Sequence, residues 1–546
     1  MPSTIFPIPF RVHVGVTGHR ALPQNLPLQQ QILDILHRIR TVFHDSPSTP
    51  VLFTVVTSLA AGADQEIAAT IMQTPGSRLK AVLPFALDDY LSDFETDAQR
   101  KRFHELLDFD AKPVCLRAGR ALDQDLSAAD VRLTRSNAYR EAGEYVVRNS
   151  DVLIAVWDGE SAKGEGGTAD IVRYATAQGV PVYIISSVPP FDIESRIVNG
   201  GGEDRYHALA MLNTTPLNQA RAAARDPSFD NLIRAAQDAG CPAESVARVV
   251  ECLRPAYLQA SQLADRFQRL HFHTGSLVYT LAATVILIAT ASTLIASNHL
   301  LFATGELLGL SLIVYSVIRA RKNRHERRWV DFRLLAERLR MAAVLSLCEK
   351  EQWLIEIIQS GPRRHSRSDW TSRIVTGLLE RIQHTSSQPP PLDKLRNFLR
   401  LHWLQNQIEY HRSKAIRLGR RHRHLDLAGE TLFYMALAAA VVNVLMIALH
   451  LEASNPFLAR WLVLGSLALP AFGAAFSGIR KHREYDRLST KSTAMAAALT
   501  ELDLRAASAD TDERLGRLIG EMCQLVTSEA EDWHTFVRAL AVETPS

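Results

Sequence analysis

Between Gly275 and Ile295 the chain runs for about 21 residues without a charged side chain, enough α-helix to cross a hydrocarbon layer of about 30 Å. No other feature restricts the fold as severely, because a backbone in lipid must satisfy its own hydrogen bonds. A second apolar run, Leu300 to Ile318, follows after Ser297, Asn298 and His299 and is interrupted by Glu306. The design recurs as Leu427 to Leu449, with Glu430 near its start, a turn around Glu452 to Pro456, and Trp461 to Ile479 with Pro470 in its middle. Two transmembrane hairpins, four spans in all, are expected.

Basic residues gather on one side of these spans. Arg266 and Arg269 precede the first, Arg319, Arg321, Lys322 and Arg324 follow the second, Arg417, Arg420, Arg421 and Arg423 precede the third, and Arg480, Lys481, Arg483 and Arg487 follow the fourth. The turns within the hairpins carry only Arg460. The bias predicts a multi-pass protein of the cell inner membrane with both termini and all soluble domains in the cytosol. The first apolar stretch, Ile5 to Phe10, is short and broken by prolines, without the basic start of a signal peptide. Five scattered cysteines, Cys115, Cys241, Cys252, Cys348 and Cys523, suit free thiols in a reducing compartment. A net charge of +3 over 546 residues is too balanced to suggest a nucleic-acid binder.

The first 190 residues read differently. Short apolar runs, Val12 to Val16, Leu52 to Val56, Leu79 to Leu83, Val152 to Val156 and Val180 to Ile185, alternate with helical patterns. Strands apolar on both faces with helices between them imply a parallel sheet. The expected fold class is therefore α/β: an N-terminal doubly wound parallel sheet, then an α-helical membrane region with two hairpins and cytosolic helical extensions. Ligands of such sheets lie at the carboxyl ends of the strands. Small and polar residues collect there: Gly15, Thr17, Gly18, His19 and Arg20 after the first strand; Ser58, Gly62, Ala63 and Asp64 after the second; Trp157, Asp158 and Gly159, then Gly164, Gly166, Gly167 and Thr168, after the fourth. Gly166, Gly167 and Thr168 lead straight into a helical pattern, so their N–H groups offer an anion site, with the Thr168 hydroxyl as a further donor and Arg20 or His19 as counter-charge. Glycines in such places also serve simply as turns.

The segments VTGHR (Val16 to Arg20), SLAAGADQ (Ser58 to Gln65), VLPF (Val82 to Phe85), SDVLIAVWDG (Ser150 to Gly159) and GEGGTADIV (Gly164 to Val172) resemble the SLOG superfamily, Rossmann-like nucleotide-sensing domains related to DprA and to the cytokinin-activating LOG enzymes. The resemblance covers about residues 10–190. It implies that a nucleotide or nucleotide-derived signal binds at Gly15, Thr17, Gly18, His19, Arg20, Ser58, Gly62, Asp64, Asp158, Gly159, Gly166, Gly167 and Thr168. The LOG hydrolases carry a catalytic glutamate three residues after the threonine of their glycine-rich motif, where this chain has Ile171. Asp170 is one residue earlier, about 100° round the helix. Sensing is thus favoured over hydrolysis, and no catalytic residue, metal ligand or cofactor is assigned; Asp64 and Asp158 are the alternative acid/base groups of a membrane-anchored nucleotide hydrolase.

Behind each hairpin the chain returns to amphipathic helix. Trp329, Phe332, Ala336, Leu339 and Ala343 form one seam, and Leu401, Leu404, Ile408, Ala415 and Leu418 another, suited to packing on each other or on further subunits. WVDFRLLAERLR (Trp329 to Arg340) and WLQNQIEYHRSKA (Trp403 to Ala415) resemble the SLATT family of SLOG-associated transmembrane effectors, over about residues 265–500. That family is inferred to form pores or perturb membranes in bacterial antiviral and conflict systems. The expected organisation is a nucleotide-binding domain (10–190), a helical connector (191–265), a first hairpin with its helix (266–345), a helical segment (346–410) with a linker at His384 to Leu392, a second hairpin with basic flanks (411–500) and a helical tail (501–546). The expected partners are a nucleotide, the bilayer and further copies of the chain. The expected response is opening or assembly of a pore; a passive scaffold for the nucleotide domain is a further alternative.

Overall fold

The computed structural model describes residues 7–110, 113–116, 128–160, 166–196, 202–294, 299–348, 370–382 and 391–537. They divide into two compact units, Met1–Pro216 with Ser360–Ile374, and Leu217–Gln359 with Val375–Ser546. Ser297, Gly164 and most of the linker at His384 to Leu392 lie outside the described residues.

The first unit is built on seven strands: β1 (Phe10–Gly18), β2 (Val51–Thr57), β3 (Arg78–Leu83), β4 (Val114–Cys115), β5 (Val152–Trp157), β6 (Val182–Ser186) and β7 (Ile193–Arg196). Their spatial order is β4-β3-β2-β1-β5-β6-β7. All neighbours are parallel except β6 and β7, which pair antiparallel, so the doubly wound sheet carries one reversed edge strand. The five apolar runs of the sequence are β1, β2, β3, β5 and β6. Val14 pairs with Val55 on one side and Val152 on the other, and all three are 5% exposed or less.

Helices cover both faces: α1 (Leu28–Val42), α2 (Ala63–Met72), α3 (Leu87–Leu91), α4 (Asp97–Leu107), α5 (Ala128–Arg148), α6 (Thr168–Ala177) and α7 (Gly202–Thr214). The helix α1 buries Ile32, Ile35, Leu36 and Ile39, the 3–4 spacing of a one-sided helix. From α5 and α6, Val147, Ile171, Val172 and Ala175 pack on the alternate positions Leu153, Ala155, Val182 and Ile184 of the sheet. At the amino-terminal edge Asp151 accepts hydrogen bonds from the His13 N–H (2.9 Å), from Arg205 (2.9 Å) and from Arg373. Burial opposes ionisation of Asp151, but Arg373 and Arg205 prevail and hold its carboxyl well below the usual range.

The second unit is helical. After α8 (Gln219–Arg225), α9 (Ser228–Asp238) and α10 (Ala243–Cys252) come α11 (Arg254–Leu294), α12 (His299–Asn323) and α13 (His325–Leu347). The second hairpin repeats this plan with Gln405–Ala448, Pro456–Arg483 and Tyr485–Ala507, and Asp512–Val537 follows. In both copies one left-handed residue, Arg324 (φ 46°) or Glu484 (φ 46°), separates the outgoing span from the helix behind it. Four helices are long and apolar enough to cross a membrane, and between 11% and 22% of each apolar window is buried within the protein. Leu300, Leu308, Phe433, Tyr434 and Phe457 present 58% or more of their surface. Apolar side chains uncovered along whole helices suit a lipid solvent rather than water.

Small residues set the span contacts. A Cβ on Gly309 would lie 2.5 Å from Val285, and one on Gly478 2.4 Å from the Tyr279 ring, so these backbones approach as only glycine permits. The seam on α13 is covered inside the chain: Phe332, 0% exposed, stacks on Phe267 at 6.0 Å, and Trp329, 4% exposed, stacks on His271 at 5.8 Å. The apolar face of this seam is therefore packed within the chain, on α11. Leu401 leaves the second seam and is 48% exposed. The reason is local: Phe398–Leu404 is a π-helix, which adds residues to the turn and rotates the stripe out of phase. Among the described residues Glu430 makes no ion pair, and Asp426, one turn earlier, pairs with Arg480.

Candidate functional site

The strand order reverses between β1 and β5, and the crevice beyond the carboxyl ends of such a pair is where open α/β sheets receive ligands. Three loops meet there. The His19 N–H continues the sheet by donating to the Val156 carbonyl at 3.2 Å, and the His19 carbonyl accepts from the Ala63 N–H at 3.0 Å. Gly62 has φ +90°, and a Cβ there would lie 2.2 Å from the Arg20 carbonyl oxygen, so the loops after β1 and β2 can touch only through glycine. On the other side the Asp158 N–H donates to His19 Nε2 at 3.1 Å, with Asp158 Oδ1 3.3 Å from the same nitrogen. Burial works against the Asp158 carboxylate, but the Glu160 N–H and His19 outweigh it and hold its pKa below the ordinary value.

These bonds assign roles. His19 and Asp158 fasten the loops to each other. Arg20 is exposed at the rim and forms no ion pair among the described residues; its guanidinium lies 5.7 Å from the centre of the Tyr139 ring. Thr17 and Ser58 are half-buried beside it, and the Ser58 carbonyl accepts from the Tyr90 hydroxyl at 3.0 Å. Gly159 (φ +86°) is exposed with open space around it. Gly18 stands at the loop entrance, where a Cβ would meet Ala63 at 2.4 Å. Gly15 lies three residues inside β1, where a Cβ would meet Ser150 Oγ at 2.5 Å. Its position is that of a packing residue within the sheet, away from the loops.

Asp64 is 6% exposed beneath the loop after β2, where Thr57 Oγ1 donates to its Oδ2 at 3.0 Å. Burial raises its pKa to about 7, against the Thr57 hydroxyl, the Ala60 N–H and the charge of Arg20. The carboxylate thus holds the loop from below, and it is the acidic group of the site whose proton exchanges near neutrality.

The amino end of α6 supplies the anion-binding geometry. Gly166 has φ +83°, and a Cβ there would come within 2.9 Å of the Arg140 backbone nitrogen, so the loop rests directly on α5. Asp170 Oδ2 accepts from the Gly166 N–H at 3.1 Å and Asp170 Oδ1 lies 3.1 Å from Arg173. One of the expected loop donors is therefore already occupied, and Asp170 is committed to the loop. Among the described residues no acceptor meets the N–H groups of Gly167, Thr168 or Ala169, or the Thr168 hydroxyl. Unmet donors at a helix amino terminus favour a phosphate or carboxylate. Ile171, the position of the LOG-type glutamate, is 3% exposed in the core between α5, α6 and the sheet.

Sequence reasoning missed the wall contributed by α5 and the segment after β3. Phe85 and Tyr139 meet edge to face at 5.7 Å, Tyr90 lies 6.2 Å from Tyr139, and Arg135 caps Phe85 at 4.6 Å. Asp93 accepts from both Arg135 and the Tyr139 hydroxyl, and burial followed by that bond pushes the Tyr139 phenol up to about 12. The available signal was the Arg135/Tyr139 pair, four apart and so on one helix face. The arrangement can hold a phosphate at α6, a counter-charge at Arg20 and a planar ring near Tyr139. No family model matches this chain, and no curated protein matches it.

Proposed function

We propose that the chain is a membrane effector that senses a nucleotide or nucleotide-derived messenger through a SLOG-like domain and responds by opening or assembling a transmembrane pore. The observation that carries this reading is the set of unmet donors at Gly167, Thr168 and Ala169 beside the exposed Arg20, in a chain whose four apolar helices are left uncovered. Phosphate goes to the helix terminus, Arg20 adds charge, and Tyr139 offers a stacking face. The basic span flanks favour a cytosolic side for both soluble regions, and the SLATT-like segments favour a role in bacterial antiviral or conflict defence. Glu306, half-buried within the second span and without an ion pair among the described residues, favours a homo-oligomer or water-filled path that would solvate it.

One feature favours the alternative, a nucleotide hydrolase: burial raises the Asp64 pKa to about 7, a range that suits a general acid/base. Against it stand the burial of Ile171 and the use of Asp170 by Gly166. The test is thermal stabilisation of the detergent-solubilised full chain by linear and cyclic mono- and dinucleotides, with mass spectrometry of the recovered ligand. A stabilising nucleotide recovered intact supports sensing, conversion to base and sugar phosphate supports hydrolysis, and no stabilisation by any of them overturns the nucleotide reading.

A further inference from the structure

The second unit contains a cavity of about 520 Å³ within the size range of ligand sites, walled by α11, α13 and the second hairpin's helices. Seven of its lining residues are arginine or lysine and two are acidic. One acid is committed: Glu337 pairs with both Arg333 and Arg340. The other, Asp265, stands at the rim, where the charges of Arg333 and Arg269 act on its carboxyl against burial. Arg269, Lys414 and Arg421 make no ion pair among the described residues. Among the described residues Arg483 donates to two hydroxyls, Ser276 at 3.0 Å and Tyr485 at 3.1 Å, and its buried Nε meets no acceptor. Several cations around one cavity with so little counter-charge repel each other, so an anion entering it gains from all of them at once.

The position of the cavity in the sequence names the anion. Phe272 and His273 come just before the charge-free run that starts at Gly275, Arg421 precedes the apolar run at Leu427 by two turns, and Arg483 follows Ile479 by one. The near end of the cavity, at Phe272, His273, Arg421 and Arg483, therefore lies where spans end, at the depth of lipid headgroups, while Arg340, Gln407 and Tyr410 line its far end on the helical extensions. Basic pockets between membrane helices at this depth match phosphorylated lipid heads.

We propose that this cavity binds the phosphate groups of an anionic phospholipid, with the acyl chains lying along the exposed apolar faces of the spans. The site is separate from the nucleotide crevice and does not depend on it. Lipid held between the two hairpins joins them, so membrane composition sets the stability of the helical unit.

The experiment measures the melting midpoint of the full chain in phosphatidylcholine nanodiscs titrated with cardiolipin, with inorganic phosphate added to neutral nanodiscs as the soluble-anion arm. Lys414→Gln with Arg421→Gln removes two unpaired cavity cations. Arg417→Gln with Arg420→Gln removes two exposed cations from the same helix that do not line the cavity. The expected result is stabilisation by cardiolipin, with half-effect at a tenfold or higher lipid fraction in the cavity variant and unchanged in the control. Lys414→Arg with Arg421→Lys should restore the native response, and equal midpoints in pure phosphatidylcholine show that each variant is folded. Equal weakening in both charge pairs would reduce the effect to general surface attraction and overturn the site. Stabilisation by inorganic phosphate without anionic lipid would overturn the lipid assignment, and no response to cardiolipin would overturn the proposal.

Discussion

Replacing Asp64 by asparagine tests the loop architecture and separates the two functional readings. In the native domain burial raises the Asp64 pKa to about 7, whereas an unfolded aspartate titrates near 3.9. The sign follows from proton counting: the folded state keeps a proton that the unfolded state loses, so the contribution of this group is greatest below about pH 4 and is lost as pH rises towards 7. Above 7 the loss is complete and amounts to roughly 4 kcal/mol at most, at about 1.4 kcal/mol per pH unit. The amide of Asp64→Asn carries no such penalty, and it still offers an oxygen to Thr57 Oγ1, which donates at 3.0 Å in the native protein. Its NH2 group faces another donor, at a cost of about 1–2 kcal/mol. The net gain at pH 8 is therefore about 2 kcal/mol, vanishing or reversing near pH 4. Thermal midpoints of the solubilised chain between those values are the assay. A variant that melts no higher than native at pH 8, or a difference independent of pH, would refute the placement of this carboxylate. A sensor should keep its ligand affinity in this variant, whereas a hydrolase using Asp64 should lose turnover.

Three further outcomes are expected. Gly167 has φ −72°, so Gly167→Asp fits the backbone and caps α6; calorimetry should show nucleotide affinity down at least tenfold, about 1.4 kcal/mol, with the melting midpoint unchanged or raised. Asp151→Ala leaves the Arg205 side chain, 8% exposed, without its carboxylate, and should destabilise the first unit by about 3–5 kcal/mol in a melting experiment. Phe332→Ala opens a cavity beside Phe267 and should cost about 3–5 kcal/mol, seen as a lower melting midpoint of the second unit.

The central strands were legible because burial on both faces writes itself as runs of valine and isoleucine, as at Val12 to Val16. The edge strands were not: β4 has two residues, and β7, Ile-Glu-Ser-Arg, is exposed along most of its length and carries no apolar run. Spans were legible from length and charge alone. The breaks at Arg324 and Glu484 were hidden, since left-handed turns are ordinarily marked by glycine and tertiary packing imposes them here on charged residues. At the site, the glycines announced where the loops turn but not which of them face a ligand; Gly15 packs against Ser150 within the sheet, whereas Gly159 stands in open space. Asp64 and Asp170 read as loop carboxylates because sequence does not show that one points inward to Thr57 and the other back to Gly166. For Tyr139 the sequence offered only its spacing from Arg135, because its place at the site depends on how α5 crosses the sheet.

The most direct measurement is dye release from liposomes containing the purified full chain, with and without a nucleotide that binds it. The account predicts release only with the nucleotide and loss of that release in Gly167→Asp, since a ligand drives opening only by binding the open or assembled state more tightly. Equal release in both conditions, or intact membranes at saturating nucleotide, would contradict it.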